Sequence, residues 1–180
     1  MNKLMLFLLV FMLAGTFNQP AFALRSDKDQ PTTVDADRVD VDDKKGISTF
    51  TGNVVVTRGS IRIKADKVVI NRDAERGLDR VVATGNLAEY RQRPENKPVD
   101  IVANAKTITY DANKGTVLLN KQALVYQGKD TFSGDRIIYD INKDLVLAKS
   151  GDKPATTDKS GQRVHIKKER VRITIQPKKK

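Results

Sequence analysis

From Thr32 to Ile175 apolar and polar residues alternate with a period of two. Val39 and Val41 sit among Arg38, Asp40 and Asp42. Ile61, Ile63 and Ala65 alternate with Arg62, Lys64 and Asp66, and Ile108 and Tyr110 with Thr107, Thr109 and Asp111. Val171, Ile173 and Ile175 alternate with Arg170, Arg172, Thr174 and Gln176. A strand places successive side chains on opposite faces, so this text predicts half-buried β-strands. No apolar stripe of helical period continues for three turns. Turn residues punctuate the runs at Asp43–Gly46, Thr51-Gly52-Asn53, Arg58-Gly59-Ser60 and Asn113-Lys114-Gly115. Longer loops are expected at Arg93–Pro98 and from Ser150 to Gly161. About a dozen short strands on this spacing predict an all-β sandwich or roll.

The pattern also repeats. A shift of 69 positions lays Ala36 on Ala105, Lys45-Gly46 on Lys114-Gly115, Phe50 on Leu119 and Gly59 on Gly128. It lays Ala65-Asp66-Lys67-Val68-Val69-Ile70 on Gly134-Asp135-Arg136-Ile137-Ile138-Tyr139. Two copies of strand–turn–strand text predict a stacked fold with a long surface or groove, and therefore binding in preference to chemistry. The first strand, Thr32-Thr33-Val34, and the last, Arg170–Ile175 with Val171, Ile173 and Ile175 on one face, are expected at the sheet edges. There, unpaired backbone groups can join another chain. The period places Val34, Val41, Phe50, Ile63, Tyr90 and Tyr110 on one shared interior. That interior is either ordinary core or the lining of an open cavity.

The N-terminus follows different rules. Lys3 precedes an apolar run from Leu4 to Ala14, and Ala21-Phe22-Ala23 is a small-residue cleavage site. This is the layout of a secretory signal peptide over residues 1–23; the alternative is a retained single-span anchor. Residues 24–176 are then one exported domain and residues 177–180 a basic tail. There is no cysteine, so neither disulfides nor thiolate chemistry is available. The formal net charge of +11 falls by only one when Lys3 is removed. Such a chain seeks anionic partners, and export favours lipid headgroups or acidic polysaccharide over nucleic acid.

The catalytic inventory is thin. His165 is the one histidine, so no histidine-based zinc site or catalytic triad is expected. Asp66 and Asp135 match across the repeat and could form a carboxylate pair, but each reads better as a turn cap at the start of a strand. Asp35, Asp37, Asp40, Asp42 and Asp43 lack the spacing and glycine of a calcium loop. Arg58, Arg62, Lys64, Lys67, Arg72 and Arg76 cluster in the first copy, for anion binding or for solubility. No cofactor or metal is expected.

The run from Phe50 to Ile70, FTGNVVVTRGSIRIKADKVVI, resembles the signature of the OstA-like family of periplasmic lipopolysaccharide-transport proteins typified by LptA. The resemblance continues through Lys97-Pro98-Val99, Gly134–Tyr139 and Arg170–Pro177. It implies a twisted, open β-jellyroll whose apolar groove shields the acyl chains of lipopolysaccharide. It also implies a non-enzymatic role in the periplasm, carrying lipopolysaccharide from the inner to the outer membrane. Subunits would stack head to tail between an inner-membrane LptC-like anchor at the N-terminal end and an outer-membrane LptD-like translocon at the C-terminal end. By motif position, ligand-facing residues fall on Thr32, Val34, Arg72, Tyr90 and Tyr110; Thr32 departs from the family's common aliphatic residue. The alternative function is an exported β-solenoid enzyme acting on acidic polysaccharide, with Asp66 and Asp135 as its acids.

Overall fold

A computed structural model describes residues 27–73, 75, 77–95, 97–150, 156–157, 163–164 and 170–175. The expected signal segment, Arg76, His165 and the basic tail lie outside the described residues. A 3₁₀ turn, η1 (Asp27–Asp29), leads into twelve strands. They are β1 (Thr32–Asp35), β2 (Arg38–Asp42), β3 (Ile47–Arg58), β4 (Ile61–Arg72), β5 (Leu78–Gln92), β6 (Ile101–Asp111), β7 (Thr116–Gln127), β8 (Asp130–Asp140), β9 (Leu145–Lys149), β10 (Thr156–Thr157), β11 (Arg163–Val164) and β12 (Arg172–Thr174). Ten form one antiparallel sheet, and β10 pairs only with β11. The six long strands β3 to β8 are joined as a plain meander, which short polar turns make possible.

Every long strand breaks register near its middle. The breaks fall at Gly52-Asn53 in β3, Ala65-Asp66 in β4, Gly85 to Leu87 in β5, Ala105-Lys106 in β6, Lys121-Gln122 in β7 and Asp135 in β8. Together they draw one fold line across the sheet. Bulges bend and twist a strand, and a row of them bends the whole sheet. Gly52, Asn53, Leu87, Lys121 and Gln122 take positive φ along this line. The bend also shifts the side-chain alternation: β4 buries Ile61 and Ile63 before it and Val68 and Ile70 after it. Without that shift, one half of each strand would turn its apolar row to water.

The fold line divides the sheet into two facing halves. In the first, β2 and β9 are the edges, and two inward rows run across the strands. One is Val39, Phe50, Val68, Ala83, Ile108, Leu119, Ile137 and Ala148; the other is Val41, Ser48, Ile70, Val81, Tyr110, Val117, Tyr139 and Val146. In the second half, β1 and β12 are the edges. Its main row is Val34, Val56, Ile63, Tyr90, Ala103, Val125, Phe132 and Ile173. Next to the fold line, where the halves converge, stand the small residues Ala65, Ala88, Ala105, Ala123 and Gly134. This is the open, all-β roll that the sequence predicts.

Two expectations from the sequence need correction. Thr51-Gly52-Asn53 is not a turn but a bulge inside β3. Asp66 and Asp135 do not open strands; both lie mid-strand on the fold line. The Asp66 carboxylate accepts the Asn86 N–H at 3.0 Å and so holds the bulge of the neighbouring strand.

Candidate functional site: the apolar interior and its seam

Facing rows from two half-sheets make a long apolar interior. Ile63, Tyr90 and Tyr110 meet in its middle, where each is buried, and the rings of Tyr90 and Tyr110 approach to 6.4 Å between centroids. Phe50 and Val34 are half-buried and pack against the same cluster. Thr32 pairs with Arg58 at the margin of the second half-sheet. Val41 shares the inward row but stands on edge strand β2, with 57% of its surface exposed. Thr33 has the opposite phase and faces outward. Where Ile63, Tyr90 and Tyr110 meet, the interior is therefore packed core.

Among the described residues, both ends carry exposed apolar side chains. At the end bounded by β1 and β2, Val39 and Val41 are exposed by 52% and 57%. At the end bounded by β9 and β12, Ile173 and Ile175 are exposed by 53% and 73%. Among the described strands, β1 and β12 end the sheet, each with one neighbour. Of the expected edge residues, Ile173 and Ile175 are bare, whereas Val34 on β1 is half-buried against the core.

Opposite the fold line, the strand ends of the two halves meet along a seam, and the seam is polar. The Asp27 carboxylate accepts the Ser60 N–H at 2.6 Å, the Ser60 hydroxyl at 2.8 Å and the Gln92 Nε2–H at 2.9 Å. Gln92 in turn accepts the buried Tyr90 hydroxyl at 2.8 Å. Burial pushes the Tyr90 phenol well above its ordinary pKa, so it remains a hydrogen-bond donor. Lys28, next in η1, donates to Asn142 of the β8–β9 turn at 3.3 Å, so η1 straps one half-sheet to the other. A Lys97–Asp144 ion pair makes a second crossing. Beneath lies a cavity of about 400 Å³ lined by Ile61, Gln92, Tyr110 and Ile141 among others.

The basic cluster splits on this frame. Arg62 and Lys64 point to solvent from β4. Arg58 and Arg72 end their strands in the inward phase at the seam. Arg72 pairs with Asp43 at 2.9 Å but keeps its Nε without a partner. Arg58 gives Nη2 to the Lys28 carbonyl, while its Nε and Nη1 are buried. It lies beside Tyr110, whose phenol burial pushes upward and Arg58 pulls back. The inward phase of Arg58 was readable from Val54, Val56 and Arg58 in alternation, and that of Gln92 from Ala88, Tyr90 and Gln92. The sequence reading took neither as a seam residue. Nothing in the sequence pattern signalled that Asp27 would meet them. No cluster of His, Cys, Asp and Glu suited to a metal occurs among the described residues.

Comparison with known proteins agrees with this architecture. Residues 33–145 match the family model described as the LptA/(LptD N-terminal domain) lipopolysaccharide transport protein. The chain is 35% identical over 160 residues to the lipopolysaccharide export system protein LptH of Pseudomonas aeruginosa, covering 89% of this chain and 87% of that one. It is 36% identical over 149 residues to LptA of Escherichia coli K12, covering 82% of this chain and 80% of that one. The crystal structure of Pseudomonas aeruginosa LptH, described as the LptA-homologous periplasmic component of a lipopolysaccharide transport device, superposes with a TM-score of 0.71. That alignment is 34% identical and covers 84% of this chain and 99% of the other. A bulged antiparallel sheet folded over an apolar interior, together with these matches over most of its length, places the chain in the LptA/LptD-N-terminal-domain family of lipopolysaccharide transport proteins.

Proposed function

We propose that this chain binds lipopolysaccharide in the periplasm and bridges the inner to the outer membrane, with acyl chains lodged between its half-sheets. The observation that carries this is the run of inward apolar rows from β2 to β9 and from β1 to β12, bare at both ends. Each CH₂ withdrawn from water gains about 0.8 kcal/mol, so a trough that can be continued by the next subunit lowers the barrier to crossing an aqueous gap. The same bare ends suit head-to-tail stacking, a heterologous contact that extends without closing. In this scheme the β1–β2 end receives from an LptC-like anchor and the β9–β12 end delivers to an LptD-like translocon. Thr32, Val34, Val41, Phe50, Ile63, Arg72, Tyr90 and Tyr110 line the path.

The role needs no catalytic group. Asp66 and Asp135 stand on β4 and β8, four strand spacings apart, or roughly 19 Å along the sheet. A glycosidase pair works at about 5–9.5 Å, so Asp66 and Asp135 are too far apart to act as one.

A photocrosslinker tests the path. Placed at Val34 in exported protein, it is expected to capture lipopolysaccharide, whereas at Thr33, one residue away and outward, it is not. Equal labelling at both positions would remove the groove from the proposal. Assembly is tested by light scattering over a concentration series. The wild type is expected to grow with concentration, and Ile173→Pro, which removes a backbone donor from edge strand β12, to remain small. A variant that assembles as well as the wild type would place the contact elsewhere.

A further inference from the structure

We propose that the Asp27 carboxylate is a built-in occupant of an anion seat at the seam, and that a phosphate monoester on the incoming glycolipid displaces it. This deepens the carrier role above and rests on it. Three donors converge on one carboxylate: the Ser60 N–H, the Ser60 hydroxyl and Gln92 Nε2, all within 2.9 Å. The Ser60 oxygen is itself fixed by the Arg93 N–H at 3.3 Å. Such convergence of neutral donors is what an oxyanion requires, whoever supplies it. Gly59 lets the carboxylate come this close. Its φ is +58°, and a Cβ there would lie 2.3 Å from Asp27 Oδ1.

The seat is only partly satisfied by its resident. Arg58 stands beside it with Nε and Nη1 buried, its third nitrogen taken by the Lys28 carbonyl and the Tyr110 phenol as its other polar neighbour. A guanidinium offers its donors as a planar fork that matches two oxygens of a phosphate or carboxylate. A buried guanidinium that no anion meets is under-satisfied, and a visiting phosphate completes its partners where Asp27 does not. The strap that would have to move is slight. η1 has three residues, none of them buried. Asp27 and Lys28 hold it by polar contacts to Ser60, Gln92, Arg58 and Asn142, and beneath them lies the cavity of about 400 Å³ that reaches Ile61 and Tyr110. Lifting η1 therefore uncovers the anion seat and the apolar interior in one movement. A phosphorylated headgroup would thereby open the place where its own acyl chains go. The second copy of the repeat has no such device: Gln127, Gly128 and Lys129 replace Arg58, Gly59 and Ser60, and Gly128 faces Val99.

The test compares bisphosphorylated lipid A with the same lipid after phosphatase treatment, each in nonionic mixed micelles, on the full exported chain. Because both residues also hold the strap, the readout is the ratio of phosphorylated to dephosphorylated affinity. It is expected to rise about tenfold in Asp27→Asn and to fall about tenfold in Arg58→Gln, a shift of about 1.4 kcal/mol each way, with circular dichroism showing that each variant is folded. Inorganic phosphate separates the sources. In Asp27→Asn it is expected to move the Ser60 amide resonance and to compete only with the phosphorylated lipid. If only lipid-borne phosphate moves that resonance, the seat stands for that source alone; if neither does, there is no seat. Variants that alter both lipids alike, or neither, overturn the proposal while leaving the carrier role intact. A wild type that binds neither lipid overturns the carrier role itself.

Discussion

The two copies of the repeat, β3–β4 and β7–β8, are alike in scaffold and unlike in chemistry. Their strands occupy 47–58 with 61–72 and 116–127 with 130–140, so the 69-residue shift holds to the residue at three ends of four. Asp42 and Asp111 each accept the backbone N–H three residues on, at 3.1 and 2.9 Å. Gly46 and Gly115 each offer a carbonyl to the residue that ends the hairpin, Arg72 and Ile141, at 2.9 Å. The bulges also coincide, at Gly52-Asn53 and Lys121-Gln122, all four with positive φ. The copies differ at the seam, where Arg58, Ser60 and Arg72 give way to Gln127, Lys129 and Ile141. Backbone geometry is duplicated because both copies bend the same sheet along the same line. The Ser60 donors to Asp27 and the inward guanidiniums are confined to the first copy.

Equivalent substitutions in the two copies separate those roles. Leu119 is fully buried two strands in from edge β9, whereas Phe50, its counterpart, is half-buried one strand from edge β2. Leu119→Ala is expected to cost about 2–5 kcal/mol, and Phe50→Ala less despite the larger side chain it removes. Urea midpoints at unchanged slope measure both. A larger loss at Phe50 would mean that the first copy, not the second, carries the core. Next comes the bend. A methyl group at Gly52, with φ +82°, would meet Asp37 Oδ2 at 2.2 Å, so Gly52→Ala is expected to destabilise by about 2 kcal/mol in the same assay.

The halves of the molecule were not equally legible from sequence. Period-two alternation gave the strands, their apolar face and the repeat, because burial on one face of a strand leaves that mark. It did not give the fold line. A bulge shifts the alternation by one residue, and in β4 that shift lies hidden inside Ala65-Asp66-Lys67, which reads equally well as a turn cap. Val34, Phe50, Ile63, Tyr90 and Tyr110 fell on the interior as the period requires. Val41 obeys the same period but is bare, since an edge strand has no neighbour to cover it and alternation says nothing of edges. The seam was illegible for another reason: Asp27 and Gln92 are 65 residues apart, and a polar contact between loops leaves no periodic trace.

A weaker effect checks whether the shared turns are equivalent in energy. Asp111 is buried, and although burial opposes its charge, the Lys114 N–H, the Lys114 ammonium and Arg80 hold its carboxyl below the ordinary range. A carboxyl with a lowered folded pKa stabilises above its unfolded value near 3.9, and that contribution is lost as pH falls through the lowered one. Asp111→Asn is expected to cost about 1 kcal/mol at neutral pH and to flatten the loss of stability below about pH 4. Thermal melts from pH 7 to pH 2 follow it. A variant that loses stability on acidification as steeply as wild type would assign the acid sensitivity to other carboxyls.

The smallest expected effect has the opposite sign. Lys121 and Gln122 hold φ of +63° and +55° where the first copy places Gly52 and Asn53. Glycine adopts such angles without steric cost and asparagine does so more readily than most residues, whereas lysine and glutamine are strained there. Lys121→Gly copies the first bulge into the second. Relief of backbone strain is set against the larger unfolded-state entropy of glycine, and the balance is expected to favour the variant by about 0.5 kcal/mol. Lys121 is exposed and its side chain makes no core contact, so packing does not confuse the result. A rise in urea midpoint at unchanged slope is the expected readout. A fall would mean that the second bulge is held by its own side chains, and that the two copies bend the sheet by different means.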